Sequence, residues 1–359
     1  PSGFLALCTS NLPDPVETID PAQGGSPQDY FNTVLYTGNG STQSITGVGF
    51  QPDFTWIKNR VAADSHALTD SVRGVTEQLS SDLTAAETTN ADGLTAFGTD
   101  GFSLGADVIY NTNTETYVAW NWKAGTAFSN DASATGVGSI DSAGSVNTDV
   151  GFSIINFTGT GSVLTVAHGL SKAPEIIFEK SREKADSWIV YAEPLGNTKG
   201  LILNGTNAEI DSDTYWNDTS PTSTVWTMGT QNSVNNSGEE TIAYCFHSVD
   251  GYSKIGLYTG NGNADGPFVY TGFRPAWVMV KRTNDTGYWP ITNNKTLGYN
   301  PDNNELYANT SQVEATSDSM DYLSNGFKLR WTSTEGNANG STYIYMAFAE
   351  QPFKYSNAR

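Results

Sequence analysis

Apolar residues along the chain come in short alternating runs separated by turns rich in Gly, Asn, Asp and Ser. Alternation places every second side chain on one face of an extended strand. In Pro52–Lys58 it puts Phe54 and Trp56 together, in Pro174–Lys180 Ile176 and Phe178, and in Pro275–Lys281 Trp277 and Met279. A leading proline suits the first position of a strand, because it has no N–H to give to the ladder. Later runs at Thr116–Trp122, Thr241–His247 and Thr342–Phe348 group Val118, Trp120 and Trp122, then Ile242, Tyr244 and Phe246, then Ile344, Met346 and Phe348. These faces are assigned to the cores. Helical spacing is confined to Thr76–Asn90, where Leu79, Leu83 and Ala86 predict one short helix. Many short strands and frequent Asn-Gly and Asp-Gly turns predict an all-β chain of antiparallel β-sandwiches with jelly-roll or Greek-key connections.

The runs recur in a fixed order. An aromatic, Thr and a Gly-x-Gly turn open each repeat: Tyr36–Gly40, Phe157–Gly161 and Tyr258–Gly262. The proline strand follows, and eight residues beyond its lysine stand His66, Trp188 and Trp289. From the proline to the last aromatic of the closing strand is 70, 72 and 73 residues. Near-equal spacing between unlike sequences points to duplication, and a repeat of this length is twice that of a propeller blade. The expected organisation is three tandem modules at 28–128, 150–249 and 250–359. An N-terminal segment, 1–27, would be the end of a preceding element, and a Ser-, Gly- and Ala-rich linker would fill 129–149.

Charge narrows the partners. Eighteen Lys and Arg against 38 Asp and Glu leave a formal charge of −20, with no basic cluster, so nucleic acid would be repelled. Two cysteines, Cys8 and Cys245, make no disulfide framework, and no apolar run approaches the roughly 20 residues of a membrane helix. The chain therefore reads as having no membrane insertion.

Candidate chemistry is sparse. Glu209, Asp211 and Asp213 stand at alternate positions and would project from one face of a strand, as paired carboxylates must for glycoside hydrolysis. With no equivalent evident in the other repeats, a solvated turn is the favoured reading, and no catalytic residue is assigned. His66, His168 and His247 are scattered and read as packed or surface histidines. No cofactor or metal site is assigned, although Asp302–Glu305 and Asp318–Asp321 carry the oxygen ligands calcium prefers. Tryptophans outside the assigned strands, chiefly Trp188, Trp216 and Trp289 and also Trp226 and Trp331, are candidate platforms on which a glycan or receptor would stack. Packing inside the sandwiches is the competing use.

Several segments together resemble the repeated modules of marine bacteriophage virion proteins, including cyanophage fibre and tail proteins. They are Phe31–Gly40, Trp56–Lys58, Asp70–Gly74, Glu115–Lys123, Pro221–Val225, Gly251–Lys254, Gly266–Arg282, Asn325–Lys328 and Tyr345–Arg359. Pro1–Pro13 is similar to the end of a SPRY-like sandwich. The resemblance implies lectin-like, concanavalin-type sandwiches on a virion surface, in a fibre, tail or capsid decoration. It further implies a homo-oligomer, commonly a trimer, among other virion proteins, with a host-surface glycan as the outside partner. A non-enzymatic structural or adhesion role follows as the expectation. A polysaccharide-degrading virion enzyme, resting on Glu209, Asp211 and Asp213, and a cellular extracellular adhesin are the alternatives.

Overall fold

The computed structural model describes residues 11–296 and 300–356, except the side chain of Asp318. Cys8 and most of Pro1–Pro13 lie outside the described residues. The chain is all-β and antiparallel, and no helix among the described residues exceeds four residues. The helix expected over Thr76–Asn90 does not form. Glu77–Gln78 pairs instead with Thr88–Thr89, and Leu79 bridges to Leu68. Leu79 is buried but Leu83 is exposed, so the three apolar residues do not share a face with a core to meet.

Three sheets are built on one plan. The opening strands are Phe31–Thr37, Phe152–Thr158 and Ser253–Thr259. The proline strands are Phe54–Asn59, Ile176–Ser181 and Phe273–Arg282. The closing strands are Thr116–Trp122, Glu240–Phe246 and Thr342–Pro352. In each sheet the closing strand lies between the other two, and the proline strand continues to the strand that follows it in sequence. Registers correspond: Trp122 sits between Phe31 and Phe54, Phe246 between Phe152 and Ile176, and Phe348 between Ser253 and Trp277.

Both faces of the proline and closing strands are buried, but against different partners. One face of each sheet is covered within its own repeat. In the first, Tyr36, Ile57, Tyr117 and Ala119 meet Ile45, Phe102 and Leu104 of a second layer. In the second, Ile155, Ile177 and Ala243 meet Leu164, Val166, Trp226 and Met228. In the third, Val278, Tyr343 and Tyr345 meet Val269, Phe327 and Leu329. The opposite face carries the residues assigned from sequence to three separate cores: Phe54, Trp56, Trp120 and Trp122, Phe178, Tyr244 and Phe246, Trp277, Met279, Met346 and Phe348. All of them join one cluster shared by the three repeats. Aromatic contacts cross every boundary: Phe54 stacks on Tyr244 at 4.4 Å, Phe31 on Phe348 at 4.9 Å, and Phe246 meets Phe348 edge-on at 5.9 Å.

Residues 129–149, read from composition as a linker, carry ordered structure. Thr126–Asn130 and Ser142–Asn147 form a hairpin whose second strand adds to the edge of the second opening strand, Ser142 opposite Phe157 and Asn147 opposite Phe152. Val146 is buried there, and Phe128 and Ile140 pack on the second repeat's own core. Few apolar residues are needed, because the ladder supplies the backbone partners. A Cβ on Gly144 would lie 1.8 Å from the carbonyl oxygen of Ile154, which accounts for a glycine in mid-strand.

Candidate functional site

The position eight residues after each repeat lysine forms a ring of inter-repeat contacts. Trp188 Nε1 donates to the Ser80 carbonyl at 2.9 Å, and Trp289 Nε1 to the Ile202 carbonyl at 3.0 Å. His66 Nε2 meets the Tyr307 carbonyl at 2.9 Å. The second repeat thus reaches the first, the third the second, and the first the third. Trp188, Trp289 and His66 are buried, so the expected stacking platform is corrected: neither tryptophan presents a face to solvent. Trp216 is buried as well, with its Nε1 on the Lys199 carbonyl at 2.8 Å. Trp226 and Trp331 are also inside, donating to Glu179 and Ser317. An indole buries its large apolar surface readily once its one N–H has a partner.

A second ring runs beside the first. The backbone N–H of Glu87, Glu209 and Glu314 donates to the carbonyl of Arg182, Thr283 and Arg60, at 2.7, 2.7 and 2.9 Å. Where the facing residue is arginine, the carboxylate also closes an ion pair, Arg182 to Glu87 and Arg60 to Glu314, both at 2.7 Å. Glu87 in addition holds Arg73, which is fully buried against Asp70. Glu209 is the third member of this set, so it does have equivalents in the other repeats. Only Ile210–Asp211 is strand after it. Asp211 pairs with Lys199, and Asp213 begins a one-turn helix capped by Ser212, so the three carboxylates do not project from one strand face.

The repeat lysines, Lys58, Lys180 and Lys281, are buried. Each ammonium is spent on backbone carbonyls: Asn59 and Ala62, Ser181 and Lys184, Gly287 and Thr206. Burial brings all three down to about 8, against the opposing pull of nearby carboxylates such as Asp64, Asp186 and Glu335. They fasten the loops that follow the proline strands.

The Gly-x-Gly turns are the exposed feature that all three repeats share. The first glycine of each packs so tightly that a Cβ would stand 2.1, 2.5 or 2.3 Å from a carbonyl oxygen, at Gly38, Gly159 and Gly260. The second, Gly40, Gly161 and Gly262, has φ of +65°, +71° and +67°, the left-handed region where glycine is unstrained. Behind each turn is a buried asparagine, Asn111, Asn235 or Asn337. Its Oδ1 accepts from the turn's central N–H, of Asn39, Thr160 and Asn261, at 2.8, 2.9 and 2.8 Å. Its Nδ2 donates to carbonyls on both sides, for example Ser162 at 2.7 Å and Gly229 at 2.6 Å. These asparagines were missed from sequence, although each stands eleven residues before the last core aromatic, Trp122, Phe246 or Phe348. The result is three rigid turns with solvent-facing tips, Asn39–Ser41, Thr160–Ser162 and Asn261–Asn263.

His168 and His247, like His66, are packed, and burial lowers all three, His66 to about 3 and His168 to about 4. Of the acidic stretches, Asp302 and Glu305 are buried on a strand whose partner is Ala315–Leu323, and burial raises Asp302 to about 8. No group of three His, Cys, Asp or Glu side chains among the described residues is placed to hold a metal ion. No helix among them is long and apolar enough to cross a membrane.

Compared with known proteins, the chain matches one family, described as a domain of unknown function, DUF7483, over residues 26–352. No curated protein matches it.

Proposed function

The chain belongs to the DUF7483 family through a single span that takes in all three repeats, and we propose one function for the whole body: multivalent display of polar loops by a non-enzymatic structural or adhesion protein. The observation that carries this reading is the set of three equivalent exposed turns, each braced by a buried asparagine on one shared core. Rigid multiple presentation suits weak contacts, because binding at one site makes the next intramolecular and overall avidity can exceed single-site affinity by about 10²–10⁴-fold. Asn, Ser and Thr at the tips offer both donors and acceptors, which suits hydroxyl-rich surfaces such as glycans. The resemblance to phage virion modules supports a place on a particle surface, in a fibre, tail or decoration, facing a host.

A glycan array and a host-cell pull-down with the intact chain test this reading. Binding is expected for wild type, a few-fold weaker for Asn39→Ala, and on the order of 100-fold weaker when Asn39, Thr160 and Asn261 are all alanine. Equal binding by wild type and the triple variant would remove the turns from the function. Binding to no surface would remove adhesion.

A further inference from the structure

We propose that Phe268 and Tyr270 form a stacking surface for a neutral glycan on the outer side of the third repeat. The inference rests on the adhesive reading above and adds to it a ligand class and a site apart from the turns. Both rings stand on the short strand Phe268–Tyr270, 46% and 57% exposed, while Val269 between them is buried in the third repeat's own core. Alternation therefore turns both rings to one side, away from that core.

The other repeats supply the internal comparison. Val269 pairs with Phe327 as Ile45 does with Phe102 and Val166 with Trp226, so the two rings occupy the places of Ser44 and Thr46 and of Thr165 and Ala167. The same layer is thus built twice without aromatics there. Phe268 lies over Gly326, where a Cβ would stand 3.0 Å from the ring's Cε2. Covering that glycine does not call for a ring, because the nearest atoms to a Cβ on Gly101, its counterpart in the first repeat, are backbone of Ile45 and Thr46. Two large rings left in water where small residues suffice, inside a polar border, mark a ligand surface.

The border decides the ligand. Lys328, directly opposite Phe268, is paired with Asp265 at 2.7 Å, and Arg330 with Asp321 at 3.4 Å. Beyond these, Tyr270 walls a cleft of about 260 Å³ together with Asp250, Lys254 and the Lys354–Asp14 pair. The four cations and four carboxylates just named balance, so the rings are surrounded by donors and acceptors with no net charge. A pyranose matches both parts. Its C–H face lays positively polarised hydrogens on the negative face of an aromatic ring, and its hydroxyls donate and accept around the rim. An anionic ligand gains nothing from a balanced border and is repelled by a chain of net charge −20. A protein partner would need about 800 Å² of contact surface on this side, far more than two rings offer.

Isothermal titration of the full chain with soluble neutral hexasaccharides of glucose, mannose and galactose, and with oligogalacturonate as the anionic comparison, tests the proposal. At least one neutral sugar is expected to bind, and more tightly than the uronate. Phe268→Ala and Tyr270→Ala should each weaken binding about tenfold and the double variant on the order of 100-fold, with little change in melting temperature. Phe268→Tyr and Tyr270→Phe keep the rings and should keep the affinity. The variant with Asn39, Thr160 and Asn261 all alanine should titrate like wild type, because the soluble sugar occupies the rings and not the turns. No neutral sugar bound, preference for the uronate, or undiminished binding by the double ring variant would overturn the proposal. On the array and on host cells, loss of adhesion in the turn variant alone would remove this site and leave display by the turns; loss in the ring variant alone would remove the turns and leave this site.

Discussion

His66 stands where the other repeats have Trp188 and Trp289, and the ring it meets edge-on at 5.8 Å is Trp56, at the position of Phe178 and Met279. Trp56 Nε1 donates to His66 Nδ1 at 2.8 Å, so the imidazole proton is on Nε2, facing the Tyr307 carbonyl. Burial and the nearby Lys58 lower this histidine to about 3. The unfolded chain takes up a proton below about 6.5 and the folded one does not, so this stabilising contribution is present above 6.5 and lost as pH falls toward 3. Urea unfolding at several pH values should show the advantage of wild type over His66→Gln shrinking by about 1.4 kcal/mol per unit below 6.5. Glu179 has the opposite sign. It is buried where the other repeats have Ile57 and Val280, bonded to Trp226 Nε1, and burial raises it to about 8. Its contribution is complete below about 4.5 and lost as pH rises to 8. Glu179→Gln should unfold at higher urea than wild type at pH 8 and match it near pH 5.

At the scale of elements, turns and inter-repeat clasps rest on few side chains. Replacing Asn235 by Ala leaves the Thr160 N–H and the Ser162 and Gly229 carbonyls without their partner, and should cost about 2–4 kcal/mol in chemical denaturation. The clasps should rank by burial. Glu87→Gln leaves Arg182 with Glu240 and the fully buried Arg73 with Asp70 as its remaining described carboxylate partner, so a loss of about 3 kcal/mol is expected. Glu314→Gln disturbs the partly exposed Arg60 and the Asn304 amide but strands no fully buried charge, and should cost about 1 kcal/mol. Equal losses would mean that the buried guanidinium is not what makes the first clasp matter.

On the scale of the molecule, the three sheets cannot be separated without opening the shared core. Residues 150–249 alone would present Ile154, Phe178, Tyr244 and Phe246 to water. At about 1.5–3 kcal/mol per buried side chain, these four alone amount to about 6–12 kcal/mol, comparable to the whole stability of an ordinary domain. The fragments 28–128, 150–249 and 250–359, made singly, should therefore lack cooperative unfolding. The intact chain should melt in one calorimetric transition, with van 't Hoff and calorimetric enthalpies in agreement.

Sequence by itself determined the strands, the antiparallel all-β class and the repeat, because alternation and turn chemistry are local. It also held the braces, in the constant spacing of Asn111, Asn235 and Asn337 from the closing aromatics, although that spacing went unread. It placed Phe54, Trp122, Phe246 and Phe348 on core faces but not on a common one, since an apolar face does not say which sheet will cover it. Tertiary structure alone decided that these faces meet in one cluster. It also decided that Trp188 and Trp289 point inward to a neighbouring repeat's carbonyl, and that Glu209 belongs to a ring with Glu87 and Glu314. The reason is common to all three: contacts between residues about 100 apart depend on how preformed sheets dock, and hydrophobic burial, which drives that docking, is non-directional.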